Sequence, residues 1–308
     1  MRLAGQLALA PLLASVLHSP ARLRAPVLCA PPIVDVPDDE SSPPPPPATG
    51  ASPAAHRAGF VSILGVPNVG KSTLLNALLG ERLSIATSKA QTTRHRILGI
   101  LNSDEHQIVF SDTPGVLRPQ YRLQEGMMAF VRSSLVDADV VLLVVDIFQE
   151  SFPDEKLLRQ LKTSPAALIV LLNKVDLLDE AGAVDERRRA KAAERRAEFG
   201  TPEELVQKWE DEFPGATVLP ICAKRGGYVD AAPEDRAASR VDDVLQYVHA
   251  LLPEHPPFYP KEQLTDRPER FFAAEMLREA IFEYYSDEIP YSCECRIDVR
   301  RPQPHDHP

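Results

Sequence analysis

The chain has 308 residues, with 34 Lys and Arg against 44 Asp and Glu for a net charge of -10. Hydrophobic residues make up 44% and charged residues 25%, a globular balance, and the length allows one large domain or two modest ones. That charge argues against a protein that coats nucleic acid nonspecifically, which needs clustered Lys and Arg to displace counterions, and leaves room for a local RNA contact. Four cysteines (Cys29, Cys222, Cys293, Cys295) are too few for a disulfide scaffold and point to a reducing compartment.

Residues 1–57 hold 12 of the 30 prolines, including the run Pro43 to Pro47, and cannot close a core. The apolar stretch Leu3 to Leu17 is too short to span a bilayer, so no transmembrane segment is expected. No acid precedes Asp35, while Arg2, Arg22 and Arg24 supply positive charge. This pattern predicts a targeting segment and an organelle, plastid or mitochondrion, with the folded protein beginning near Gly59.

From Gly59 onward, short apolar runs alternate with helical patterns. Strands are predicted over Phe60 to Leu64, Ile97 to Leu101, Gln107 to Phe110, Val140 to Val145, Leu168 to Leu172 and Thr217 to Ile221. Several are unbroken Val, Ile and Leu, as in strands buried on both faces of a mostly parallel sheet. The expected fold is a doubly wound α/β domain over 58–252, with ligands at the carboxyl ends of its strands. Residues 179–212 read as charged helices with a solvated face. The proline-punctuated stretch 253–268 reads as a linker, followed by an amphipathic helix over about Glu269 to Tyr285 and an alternating strand over about Tyr291 to Arg300. Residues 301–308 read as a tail. Cys293 and Cys295 would share one face of that strand; with no second pair at ligand spacing, they read as buried structural thiols rather than metal ligands.

The chemistry gathers at the predicted strand ends. Gly65-Val66-Pro67-Asn68-Val69-Gly70-Lys71-Ser72-Thr73 fits G-x-x-x-x-G-K-[ST] between a strand and a helix. Glycines let backbone N–H groups turn inward around phosphates, at the positive end of the following helix. Lys71 would reach the β and γ phosphates, and the Ser72 hydroxyl would ligate Mg²⁺. Asp112-Thr113-Pro114-Gly115 ends another strand, offering Asp112 to the magnesium and the Gly115 N–H to the γ-phosphate. Asn173-Lys174-Val175-Asp176 ends a third, and the Asp176 carboxylate can accept the guanine N1–H and 2-amino donors. Cys222-Ala223-Lys224 ends the last and supplies a backbone N–H to guanine O6. The set predicts binding of Mg-GTP and its hydrolysis to GDP. Val116 stands where a water-orienting glutamine could be, so slow intrinsic turnover is expected. Asn68 either holds a monovalent cation such as K⁺ against the phosphates or braces the loop.

With Lys89-Ala90-Gln91-Thr92-Thr93-Arg94-His95-Arg96-Ile97 between the phosphate loop and Asp112, the chain resembles the Era family of ribosome-assembly GTPases. The resemblance resumes at Leu264-Thr265-Asp266-Arg267-Pro268-Glu269-Arg270-Phe271 and Ile289-Pro290-Tyr291-Ser292, similar to the family's domain junction and the opening of its KH domain. It implies a switch segment over Gln91, Thr92, Thr93, Arg94 and His95, with Thr93 closing on Mg²⁺ in preference to Thr92. It also implies binding to small-subunit rRNA and a role in small ribosomal subunit assembly. Cys222 replaces the serine usual in the guanine loop, and the segment between Asp176 and Cys222 is longer than in bacterial relatives. A KH domain clamps RNA with a G-x-x-G loop, and no glycine follows Gly227. Residues 269–300 therefore read as an incomplete KH-like α+β remnant, from a truncated gene model or from loss of that RNA contact. In the second case the chain would be a GTP-regulated protein-binding module. The end after Pro253 is expected to be labile, leaving a core of about 59–252.

Overall fold

The computed structural model describes residues 56–86, 93, 95–117, 119, 122–149, 151–152, 154–180, 185–226, 238–285 and 289–297. The expected N-terminal targeting segment lies outside these residues, and β1 begins at Arg57. Six strands form one sheet: β1 (Arg57–Leu64), β2 (Ile97–Asn102), β3 (His106–Asp112), β4 (Val140–Asp146), β5 (Ala167–Asn173) and β6 (Thr217–Pro220). Their order is β2-β3-β1-β4-β5-β6, parallel throughout except that β2 runs antiparallel to β3.

The unbroken aliphatic strands follow from burial on both faces. Along β4, Val140, Leu142 and Val144 point to one core cluster, while Val141, Leu143 and Val145 point to the other. The first cluster is roofed by α1 (Lys71–Leu79) and α7 (Val241–Leu251), through Leu74, Leu75, Leu78, Val244 and Val248. The second is covered by α2 (Arg122–Val136), α3 (Glu155–Thr163) and α5 (Pro202–Glu212), through Met127, Val131, Leu157 and Trp209. Between α3 and α5 in sequence, α4 (Glu186–Phe199) buries only Ala192, in keeping with a solvated charged helix. Thr201 and Glu204 form a reciprocal capping box that starts α5 sharply after Gly200.

The stretch after α7 lies against the sheet rather than hanging from it. The Arg57 guanidinium donates to the carbonyls of Ala250 and Leu252 at the end of α7, and the Ala58 N–H donates to Pro253 O. Phe258 and Tyr259 pack on a small cluster of Leu98, Ile100 and Val109. Buried Gln107 accepts the N–H groups of Phe258 and Tyr259 at 2.7 and 2.9 Å, and its amide donates to Tyr259 O at 2.8 Å. Further on, the chain runs along β2, the outermost strand: the Ile100 N–H donates to Leu264 O at 2.8 Å, and Gly99 bridges Thr265. This docking argues against the labile end expected from the sequence.

Then follows α8 (Glu269–Tyr284), which buries Phe282 and packs Phe271 and Phe272 on the first core cluster. The expected strand over 291–300 is corrected over 291–297; residues 298–300 lie outside the described residues. Residues 289–292 form a short helix, α9, and 293–297 carry no regular structure. Alternation of polar and apolar residues makes a strand only where a neighbour offers N–H and C=O groups to pair with. Among the described residues, the C-terminal part is thus helical, not α+β. Cys293 and Cys295 are half-buried rather than buried, and Cys222 is buried. No helix among the described residues is long and apolar enough to cross a membrane.

Candidate nucleotide-binding site

The carboxyl ends of β1, β3, β5 and β6 bring the four motifs to one edge of the sheet, as the alternating strands require. The loop from Gly65 to Gly70 wraps the N-terminus of α1. Gly70 has φ +99°, and a Cβ there would lie 2.4 Å from the Asn173 amide nitrogen, so glycine is needed twice over. Asn68 also takes a left-handed φ of 66° and is exposed at the loop's outer turn. On the opposite wall, a Cβ on Gly115 would lie 2.8 Å from Pro67. The Val116 N–H donates to Gly65 O at 2.9 Å, and its side chain is buried in the second core cluster. Thr113 donates to Ile63 O at 2.8 Å, anchoring the same loop to β1.

Three oxygens converge beside α1. Ser72 Oγ donates to Asp112 Oδ2 at 2.9 Å and lies 3.1 Å from Thr93 Oγ1. Asp112 is fully buried, and its Oδ1 has no hydrogen-bond partner of good geometry. Burial raises its carboxyl above the ordinary value, opposed by the Lys71 ammonium and by the hydroxyls of Ser72, Ser84 and Thr93. Lys71 donates to Val66 O at 2.9 Å, and burial lowers it to about 8 against the opposing pull of Asp112. A buried carboxylate oxygen left unbonded beside two hydroxyls is the donor set of a hard divalent cation. Gln91, Thr92 and Arg94 lie outside the described residues. His95 sits exposed at the start of β2, its ring 6.3 Å from that of Phe271.

At the other end of the edge, Asn173 donates to Val69 O at 2.7 Å and accepts the Ala223 N–H at 3.0 Å. One buried amide thereby joins the phosphate loop, β5 and the loop after β6. Lys174, with φ 66°, pairs with Asp146 at 2.7 Å. The Cys222 thiol donates to Asp176 Oδ1 at 3.1 Å. Burial, and the carboxylate beside it, push that thiol up to about 11, so it remains a donor at neutral pH. Lys224 projects into solvent from the one-turn helix α6 (Ala223–Gly226).

Sequence reasoning missed Asp146, Ser84 and Arg96, whose Nε donates to Ser111 Oγ at 2.8 Å. Asp146 could have been found, since it ends its strand as Asp112 and Asn173 end theirs. Ser84 and Arg96 carry no such positional signal.

A mostly parallel sheet with a glycine-rich phosphate loop and three further loops at its carboxyl edge defines the P-loop GTPase domain. Residues 60–174 match the family described as 50S ribosome-binding GTPase. The chain is 38% identical to "GTPase ERA-like, chloroplastic" of Oryza sativa subsp. japonica over 82% of this chain and 53% of the relative. It is 38% identical to GTPase Era of Geobacter metallireducens over 79% of this chain and 71% of the relative. Among solved structures it is similar to Era in complex with MgGDPNP and nucleotides 1506–1542 of 16S ribosomal RNA, with a TM-score of 0.61 and 33% identity, covering 77% of this chain and 70% of that one. A variant of Aquifex aeolicus Era bound to GDP and aluminium fluoride matches at the same TM-score with 32% identity over the same shares. The chain belongs to the Era family of GTPases. It spans about half the length of the chloroplastic relatives it matches, 53% and 50% of the rice and Arabidopsis thaliana proteins.

Proposed function

We propose that this chain binds Mg-GTP, hydrolyses it to GDP and phosphate, and acts through small-subunit rRNA in the assembly of the small ribosomal subunit of a plastid. The observation that carries the reaction is the convergence of Ser72, Thr93 and Asp112 beside Lys71. Lys71 supplies positive charge to the β and γ phosphates. Ser72 and Thr93 would hold Mg²⁺ directly, with Asp112 behind them. When bound, the metal neutralises charge that develops on the phosphate oxygens. The Gly115 N–H meets the γ-phosphate, and Asp176, braced by Cys222, accepts the two guanine donors. The rest is positioning and charge stabilisation of water attack on the γ-phosphorus. Val116 cannot orient that water, since its apolar side chain faces the core. Asn68, exposed at the turn of the phosphate loop, would hold K⁺ against the phosphates and supply charge instead.

The domain boundaries proposed are a GTPase domain over 58–252, a docked linker over 253–268 and a KH-related C-terminal part from 269. The rRNA and ribosomal roles rest on the family and on the relative whose structure contains 16S rRNA nucleotides. The plastid rests on the chloroplastic relatives, together with the acid-poor start of the sequence.

The test is calorimetry with GTP, GDP and ATP, alongside phosphate release. Asp176→Asn should lose about 2–4 kcal/mol of GTP affinity, the cost of a charge-assisted pair with a buried donor left unmatched. Lys71→Ala should abolish turnover. Equal GTP affinity in the Asp176→Asn variant would remove the guanine-reading role.

A further inference from the structure

The start of β2 is held from the C-terminal side. Arg267 donates from Nη2 to the carbonyl oxygen of Arg96 at 3.0 Å, and its guanidinium lies 5.4 Å from the centroid of the Phe271 ring. Phe271 in turn meets the His95 ring edge-on, and Asp266 Oδ1 accepts the Leu98 N–H at 3.3 Å. Residues 95, 96 and 98 are thereby fixed by 266, 267 and 271. Two residues before His95 stands Thr93, whose hydroxyl lies 3.1 Å from Ser72 Oγ. A second tie runs to the turn after α1, where Arg82 pairs with Glu279 of α8. The segment that brings Thr93 to the metal-binding oxygens is thus anchored at one end by residues more than 160 positions further along the chain.

We propose that Arg267 is a positioning residue for GTP turnover. Its contacts are with Arg96 O and Phe271, not with Lys71, Ser72 or Asp112. By holding the Arg96 carbonyl and seating Phe271 against His95, it sets where β2 begins and so keeps Thr93 within reach of Ser72. The inference rests on the proposed hydrolysis. It has a distinctive consequence: Thr93 acts only when a γ-phosphate and Mg²⁺ are present, whereas GDP is held mainly by the phosphate loop, Asn173 and Asp176. Loss of Arg267 should therefore slow turnover and spare GDP affinity. A purely structural role in docking the strap would instead lower the melting temperature and weaken both nucleotides alike.

The experiment compares the full chain, Arg267→Ala, Arg267→Lys and Phe271→Leu in single-turnover hydrolysis, with GDP affinity measured through a fluorescent analogue. Arg267→Ala should lower the single-turnover rate constant about tenfold or more and leave GDP affinity within about twofold, as expected where Thr93 is mispositioned in the transition state. Arg267→Lys can donate to Arg96 O but lacks the planar group that lies on Phe271, so it should recover part of the rate. Phe271→Leu keeps the apolar packing of α8 while losing the His95 contact, and should slow turnover about threefold even if Arg267→Ala fails to fold. Turnover by Arg267→Ala or Phe271→Leu within twofold of the parent would overturn the inference and leave the proposed function standing. So would a parallel loss of GDP affinity and rate. A parent chain with no turnover that Lys71→Ala abolishes would overturn the proposed function and this inference together.

Discussion

Gln107→Leu tests whether the stretch after α7 is held to the sheet by one side chain. Gln107 is 1% exposed and makes four hydrogen bonds: it accepts from the Phe258 and Tyr259 N–H groups and donates to Asn102 Oδ1 and Tyr259 O. Leucine has nearly the same volume, so no cavity opens and the loss is of polar partners alone. Two backbone donors, one backbone carbonyl and the Asn102 side-chain oxygen are left behind, all only partly buried, so water reaches some of them. At about 1 kcal/mol for each group, reduced by that rehydration, the cost is about 2–3 kcal/mol. For a domain of this size the melting temperature should fall by about 4–12 °C. Gln107 lies at the end of β3 opposite Asp112, so GDP affinity should be unchanged. Circular dichroism melts, with limited proteolysis across 253–268, provide the assay: the parent should resist cleavage there and the variant should not. A melting temperature within about 1 °C of the parent, with equal protection, would refute the reasoning.

Two further outcomes follow from the site. Burial holds Lys71 at about 8, below its ordinary 10.5, so the free folded protein loses this proton as pH rises through about 8, and nucleotide binding must take it back. GTP affinity should be flat below that point and fall above it, by about tenfold per unit at the limit; an affinity unchanged from pH 7 to 9.5 would rule out Lys71 as the titrating group. Turnover should be higher in K⁺ than in Na⁺ at matched ionic strength, and Asn68→Ala should erase the difference, whereas equal rates in the two salts would remove the cation from the scheme.

Much of this architecture is legible in the sequence because it is written in local spacing. The phosphate loop must follow a strand and precede a helix, and Val140 to Val145 can only be a strand covered on both sides. The same locality places Asp112, Asn173 and Cys222 at strand ends. What is not legible depends on contacts between distant segments. Gln107 reads as an ordinary polar residue beginning a strand, and only the return of the chain at Phe258 gives it four partners. Arg267 sits in a family-like junction string, yet its bond to Arg96 depends on how that junction lies along β2. The error over 291–297 has the same origin: alternation proposed a strand, but a strand is a relation to a neighbour. The Cys222 thiol fell between the two cases. Its place in the guanine loop is evident from spacing, while its bond to Asp176 depends on how the loops after β5 and β6 meet.

The cover over β2 also bears on how this protein keeps to itself. A sheet ends where its outermost strand presents unpaired N–H and C=O groups, and such an edge invites a strand from another molecule. Here Leu264, Thr265 and Asp266 occupy part of that edge, through Ile100, Gly99 and Leu98. The residues that guard it are the neighbours of the one that steadies Thr93. Loosening the strap would uncover a template for self-association at the same moment that it unsettles Thr93, so protection of the sheet edge and the proposed placement of Thr93 depend on the same four residues, 264–267.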